Sequence, residues 1–275
     1  MKTIKAISRQ ALGSAGRVID RAMLLATPFV DRPCSLVFTF HSVGQRNPSH
    51  DDASADHSYD VFASFLRWLK ENTEVVPVAQ VAPIGRNGLP ASSEKVFSAL
   101  TFDDAHLDNY TVVYPLLKSL HLPATFFVPS GLLGRINGMT RSMVREVAEG
   151  GITIGAHSVT HRRLTTLSRK EVETELRDSK AALEDLTGME CREFAYPYGL
   201  YDQTTMAIAE SAGYACAFGA SLRQSADNRF ALPRTTIPNT NSQWSYRMAV
   251  QDVYVWRRRL RRISWLHELT QNTPG

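Results

Sequence analysis

The chain has 275 residues, with 31 Lys and Arg against 27 Asp and Glu, a formal charge of +4 and a pI near 9.0. A hydrophobic content of 43% with 21% charged residues excludes a disordered chain, and the length suffices for one sizeable core. The positive charge is confined to the ends. Residues 1–21 hold Lys2, Lys5, Arg9, Arg17 and Arg21 against Asp20, and residues 257–275 hold Arg257, Arg258, Arg259, Arg261 and Arg262 against Glu268. The body between them is net acidic, which argues against nucleic acid as a partner. Three cysteines, Cys34, Cys191 and Cys216, form no C-x-x-C pair, so a reducing compartment is expected and a disulfide framework is not. No apolar run is long enough to span a bilayer, and the best N-terminal one, 23–30, is too short and too late for a signal peptide. The expected location is the cytoplasm.

Residues 1–32 read as a basic helical extension, with Ile4, Ile7, Ala11, Val18 and Leu25 at helical spacing and Pro28 and Pro33 breaking it. From there strands and helices alternate. A strand over 36–40 ends in His41, and a polar loop over 45–58 follows. His50, Asp51, Asp52, Asp56 and His57 lie in that loop without a strand before them and read as a solvated lid. Phe62, Phe65, Leu66 and Leu69 mark a helix over 61–71. A strand over 96–102 ends in Asp103 and Asp104. A helix over 109–120 is broken near Pro115. A strand over 124–128 precedes a helix over 140–149 with Thr140 as N-cap, and a strand over 152–156 delivers His157. Ser168 and Glu171 form a capping box that opens a helix to about Leu186, with Gly188 past its end. Strands over 194–196, 214–218 and 230–232 and a helix over 204–212 complete the pattern. Such alternation predicts right-handed βαβ units and a parallel sheet, and His41, Asp103, Asp104 and His157 recur just after strands, the edge where parallel barrels place their chemistry. The expected organisation is an extension over 1–32, one domain over 33–240 and a basic amphipathic helix over 241–275. In that last helix Val253, Trp256, Leu260 and Ile263 form a stripe beside the arginines. It suits either an anionic lipid surface or the underside of the barrel.

Four segments carry candidate chemistry. In Thr101-Phe-Asp-Asp-Ala105 two carboxylates close an apolar strand, which is costly unless a cation lies near. Alternation along the strand would send them to different sides and allow them different roles. In His157-Ser-Val-Thr-His161 two histidines four apart converge on one ion if the turn is helical. Phe194-Ala-Tyr-Pro-Tyr-Gly199 is a stiff aromatic turn able to aim a backbone N–H at an oxyanion. Phe38-Thr-Phe-His41 ends a strand in a lone histidine. Taken singly, each has a plain structural alternative: a loop-opening Asp pair, a polar surface turn, an aromatic turn, a bland histidine.

Together, in this order and over roughly residues 33–240, the segments resemble the polysaccharide deacetylase family, the NodB-homology domains of carbohydrate esterase family 4. Tyr114-Pro-Leu-Leu, Pro123-Ala-Thr-Phe-Phe-Val and Ser179-Lys180 share that family's pattern. The resemblance implies a distorted, TIM-like (β/α) barrel. It also implies a divalent metal, zinc before cobalt, nickel, iron or manganese, held by Asp104, His157 and His161. It makes Asp103 the catalytic base and gives the backbone N–H of Tyr198 to an oxyanion hole. Phe38-Thr-Phe-His41 is similar to the opening strand of the poly-N-acetylglucosamine deacetylase branch, where the late histidine motif is moved to the front, so His41 becomes the general acid. The implied activity is metal-dependent removal of acetyl groups from an N-acetylated saccharide, whether polymer, oligomer or lipid-linked glycan. A deformylase, an O-deacetylase and a non-sugar amidohydrolase are the enzymatic alternatives in the same fold. A catalytically inactive carbohydrate-binding module is the alternative of another class, and the intact Asp103, Asp104, His157 and His161 argue against it.

Three departures from the family pattern bear on the site. Ala105 stands where Gly is usual, a mild change if its φ is negative. Ala195 stands where an Arg is usual, and Arg234 is the candidate to orient Asp103 instead. The Asp-rich motif that usually positions that Arg is not visible. His106 is close enough in sequence to the Asp pair to touch substrate, whereas His267 lies on the basic tail and is set aside as an acid. If the Arg-rich tail meets anionic lipid, the protein would sit at the inner face of the membrane.

Overall fold

The computed structural model describes residues 35–44, 56–81, 97–219 and 228–236. The expected extensions over 1–32 and 241–275, Cys34, and His50, Asp51 and Asp52 of the expected lid lie outside the described residues. In chain order the described residues form β1 (Ser35–Phe40), β2 (Ser42–Val43), β3 (Asp56–His57), α1 (Tyr59–Asn72), β4 (Glu74–Val75), α2 (Val78–Val81) and β5 (Phe97–Asp103). A π-helical turn (Asn109–Val113) runs into α3 (Tyr114–Leu120), followed by β6 (Thr125–Val128), α4 (Arg141–Glu149), β7 (Thr153–Ala156) and α5 (Arg169–Thr187). The order closes with β8 (Glu193–Ala195), α6 (Gln203–Ser211), β9 (Cys216–Gly219), β10 (Leu232–Pro233) and β11 (Thr235–Thr236).

The main sheet runs β10-β9-β8-β7-β6-β5-β1-β11, with β4 also on β5, and its pairings are parallel. Its two ends, β10 and β11, are consecutive in the chain with only Arg234 between them. The sheet is therefore nearly closed into a barrel, with helices around it.

Period-two alternation sorts the strand side chains. Leu36, Phe38, Phe40, Leu100, Phe102, Phe126, Val128 and Phe194 pack with α1 and α3–α6 in one core. Their neighbours Val37, Ala99, Phe127, Ala195 and Phe218 form a second, smaller core on the opposite face, inside the barrel. Phe40 lies 5.1 Å from Phe62 of α1 and 5.4 Å from Phe102, and Phe102 lies 5.3 Å from Phe126, so one aromatic row ties three strands to α1. Each such fully buried ring contributes roughly 2–3 kcal/mol.

The helix ends follow their local chemistry. Thr140 caps α4 by accepting from Met143 N–H, and Ser168 and Glu171 cap α5 reciprocally. Gly188 ends α5 at φ 68, a left-handed conformation that favours glycine. The expected break at Pro115 is the junction of the π-helical turn with α3, where the proline occupies a first-turn position.

The lid expectation fails at His57. Asp56 and His57 form β3, paired in parallel with Ser42 and Val43, and His57 is 3% exposed with its ring 5.2 Å from Phe40. Burial, with the His41 charge adding to it, lowers its pKa to about 4. Cys191 and Cys216 are buried free thiols, pushed up to about 12 chiefly by burial and so unreactive. Among the described residues no helix is long and apolar enough to cross a membrane.

Candidate active site

The site lies at the C-terminal ends of β1, β5, β7 and β8. The register Thr39↔Thr101, Phe40↔Phe102 sets His41 level with Asp103 on the adjacent strand. Asp103 continues the Ala99, Thr101 face and points into the barrel, where it is 3% exposed. Arg234, the link between β10 and β11, meets it there. Its Nη1 donates to Oδ1 and its Nη2 to Oδ2, both at 2.7 Å, and Nη1 also reaches Thr101 Oγ1 at 3.3 Å. The guanidinium lies over the Phe127 ring at 5.2 Å. Burial alone would raise the Asp103 pKa. The charge of Arg234, then His157, the Arg234 hydrogen bonds and His41 outweigh it, and the carboxyl is held below its usual value.

Asp104 leaves the strand at φ 71 and Ala105 follows at φ 51. The mild exchange expected at position 105 required a negative φ, so that expectation is corrected. A Cβ in this region costs roughly 1–2 kcal/mol. The turn is held by Met139 N–H donating to the Ala105 carbonyl at 2.8 Å and Leu107 N–H donating to the Asn137 carbonyl at 2.8 Å. Of the seven non-glycine residues with positive φ among those described, Asp104, Ala105, Ser158, His161 and Tyr198 border this site. Strain is thus concentrated where several side chains must converge.

The two histidines converge, but not through a helical turn. His157 directly follows β7, and His161 is brought back by a loop with Ser158 at φ 65 and His161 at φ 58. Their rings lie 4.8 Å apart. His157 Nδ1 is 2.7 Å from the Ala195 carbonyl. A carbonyl only accepts, so Nδ1 carries the proton and Nε2 presents its lone pair to the site. Burial lowers the His157 pKa to about 4 against the pull of Asp103, which favours that neutral form.

Asp104 Oδ1 faces both rings, 3.2 Å from His161 Nε2 and 3.5 Å from His157 Nε2. It is buried and receives no hydrogen bond. Burial would raise the Asp104 pKa, but His106, His157, His41 and His161 together lower it well below its ordinary value. His106 acts from the other side of the carboxylate, with Nε2 3.6 Å from Oδ2. Asp104, His157 and His161 offer ligand atoms within 4.8 Å of one another. One anionic oxygen and two imidazole nitrogens aimed at one point repel unless a cation lies between them, and this donor set fits a borderline divalent ion.

The remaining expected residues surround that point. Tyr198, at φ 59 in the turn Pro197–Gly199, packs its ring 4.8 Å from His161, and the Arg163 guanidinium lies 4.9 Å over the same ring. Gly199 and Leu200 N–H groups close the turn on the Tyr196 and Pro197 carbonyls, and neither bond uses the N–H of Tyr198. His41 is half-buried, and its carbonyl accepts from Asn109 Nδ2 at 2.7 Å.

Sequence reasoning missed three residues here. Asp108 accepts from Val43 N–H at 3.2 Å and from Ser42 Oγ, and is bonded by Asn109 Nδ2 at 3.0 Å. Asp108 and Asn109 thereby tie down the chain that carries His41, from the π-helical turn. Glu175 of α5 holds the loop between the histidines by accepting from Val159 and Thr160. The one signal for Glu175 was a charged residue at a core-facing helical spacing between Val172 and Leu176.

The nearly closed parallel sheet with surrounding helices is an α/β fold matching NodB-homology deacetylase structures. A family model for polysaccharide deacetylase matches residues 91–217. The chain is 28% identical over 185 residues to YxkH of Bacillus subtilis (strain 168), a stretch covering 67% of this chain and 64% of YxkH. It is 24% identical over 211 residues to a poly-β-1,6-N-acetyl-D-glucosamine N-deacetylase of Staphylococcus aureus (strain MSSA476), covering 71% of this chain and 68% of that one. Its fold is similar to that of the Streptococcus pyogenes deacetylase PplD, solved with acetate, at a TM-score of 0.70 and 27% identity over 81% of this chain and 99% of PplD. Residues 91–217 match the polysaccharide deacetylase family, and the fold is similar to that of a deacetylase of known structure. It spans less than two thirds of the length of several curated relatives, 64% of YxkH and 43% and 25% of two others.

Proposed function

We propose that this protein is a metal-dependent hydrolase that removes acetyl groups from an N-acetylated saccharide, releasing acetate and a free amine. The observation that carries the reading is the convergence of Asp104 Oδ1, His157 Nε2 and His161 Nε2 beside an Asp103 fixed by Arg234. Likeness to the Staphylococcus aureus N-deacetylase over 71% of this chain supports an N-acetylglucosamine-type substrate.

Asp104, His157 and His161 would hold the ion, with zinc the best match to an O/N/N donor set. When bound, such an ion would polarise the acetyl carbonyl and lower the pKa of water toward about 7. Asp103 is ionised and oriented by Arg234, and it takes a proton from the attacking water. The N–H of Tyr198 stabilises the negative charge that develops on the acetyl oxygen. His41 gives a proton to the amine nitrogen, which leaves the tetrahedral centre only once protonated.

Metal analysis combined with an amine-release assay on N-acetylglucosamine oligomers tests the reading. The expected result is about one zinc per chain, with acetate and amine released together, both lost on chelation and restored by zinc. Protein that takes up no metal and releases no amine would overturn it in favour of an inactive binding module.

A further inference from the structure

We propose that Glu175 is a positioning residue of the metal site: from α5 its carboxylate grips the backbone between His157 and His161 and fixes where the second ring stands. The inference rests on the reading of Asp104, His157 and His161 as a cation site.

Glu175 is 7% exposed, on the face of α5 that also buries Val172, Leu176, Ser179 and Leu183. A carboxylate there is costly unless its oxygens are satisfied. Its partners all come from the histidine loop. Oε2 accepts from the N–H of Val159 at 2.8 Å and of Thr160 at 2.9 Å, and Oε1 accepts from the Thr160 hydroxyl. These charge-assisted bonds are strong and directional.

Further backbone groups of the loop are bonded as well. His157 N–H donates to the Val128 carbonyl at 3.1 Å, and His161 N–H donates to Ser158 Oγ at 3.0 Å. Ser130 and Gly131 N–H donate to the Ser158 and Val159 carbonyls at 3.1 and 3.0 Å. A Cβ at Gly131 would lie 2.9 Å from the Val159 carbonyl oxygen, so glycine permits that close approach.

The two histidines are held differently. His157 directly follows β7 and its ring is bonded to the Ala195 carbonyl, so it is placed by the sheet. His161 lies beyond two turns of left-handed backbone, at positions 158 and 161, that a free chain rarely adopts together. Its backbone is set by the loop, and the loop is tied to the helical layer by Glu175. Releasing that tie lowers the fraction of molecules in which His161 Nε2 stands near Asp104, and apparent metal affinity falls by that fraction.

The test measures zinc dissociation constants by competition with a chromophoric chelator, alongside near-UV circular dichroism and melting of the metal-stripped protein. Glu175→Ala is expected to keep the metal-free fold and bind zinc about 10- to 100-fold more weakly, the range for groups that orient ligands. Glu175→Gln is expected to stay within about threefold of the original, because its amide oxygen still accepts from both N–H groups and its NH2 donates to the Thr160 hydroxyl. A Glu175→Ala protein that is folded without metal and binds zinc as tightly as the original overturns the inference. Should Glu175→Ala fail to fold, Glu175→Asp, one methylene short, carries the test. Its zinc affinity is expected to fall about tenfold, and an unchanged value overturns the inference. Absence of zinc binding by the unaltered protein is a separate outcome that overturns the cation-site reading itself.

Discussion

Asp103 and Arg234, 131 residues apart in the chain, meet through two parallel bonds of 2.7 Å with both side chains almost wholly buried. A fork-to-fork pair of this kind fixes the plane of the carboxylate as well as its position. Arg234, reached from the seam between β10 and β11, thus supplies the guanidinium that orients Asp103.

Arg234→Met therefore leaves a buried carboxylate without its cation. Breaking such a pair costs about 3–5 kcal/mol, to be read from urea unfolding at neutral pH. The sign of the pH effect follows from the lowered Asp103 pKa. The pair's contribution is present above the ordinary carboxylate value, 3.8, and is lost as pH falls through the lower folded value. Without Arg234 burial dominates, and the acidic limb of kcat/KM moves to higher pH. A variant as stable as the original at pH 7 would remove the pair from the stability account.

Asp103→Asn keeps the shape of the side chain and removes its basicity. Asp103 is outside the set of three converging ligand atoms, so metal content is expected to stay unchanged while kcat falls about 10²- to 10⁴-fold. Metal analysis and steady-state kinetics on one preparation decide this. Full turnover with metal in place would show that another group takes the proton.

Asn109 is fully buried and donates to the His41 carbonyl and to Asp108. Asn109→Ala removes the donor to the part-buried His41 carbonyl and to Asp108 and is expected to cost about 1–3 kcal/mol in stability. If His41 serves as the proposed proton donor to the leaving amine, kcat should fall while KM holds. A rise in KM with kcat unchanged would put Asn109 in substrate binding instead.

Much of this site was legible in the chain because its parts are local. Asp103, Asp104, His41 and His157 each follow an apolar strand, and the capping boxes at Thr140 and Ser168 need only neighbouring residues. What failed depends on distant partners or on backbone sign. His57 sits in a polar stretch with no apolar period, and its burial arises from pairing with Ser42 and Val43 across a loop. Neither the positive φ of Ala105 nor the two left-handed turns that bring His161 to His157 have a residue signature, since glycine is absent from both places. The short strand Thr235–Thr236 was missed as well, because two threonines carry little strand signal until β1 lies beside them.

His57 also makes the fold sensitive to acid. Its pKa is about 4 in the fold against an ordinary 6.5, so it contributes stability that is fully present above 6.5 and lost as pH falls toward 4. The loss is on the order of 3 kcal/mol. His57→Phe keeps the ring contacts with Phe40 and Phe62 and removes the titration. Urea midpoints followed from pH 7 to pH 4 should fall less steeply in the variant. Identical slopes would place the acid sensitivity elsewhere, with His157 the next group to test.

The position of Arg234 gives the barrel a keystone. Each strand flanking it is two residues long, paired with β9 on one side and β1 on the other, and these are among the shortest ladders in the sheet. The residue that bridges the seam is also the one that reaches across the lumen to Asp103. Any fluctuation that parts the seam withdraws the guanidinium from the carboxylate, so transient opening of the barrel and loss of the proton acceptor's alignment are one motion. Amide exchange at Thr235 and Thr236 would then report how often the catalytic machinery comes apart.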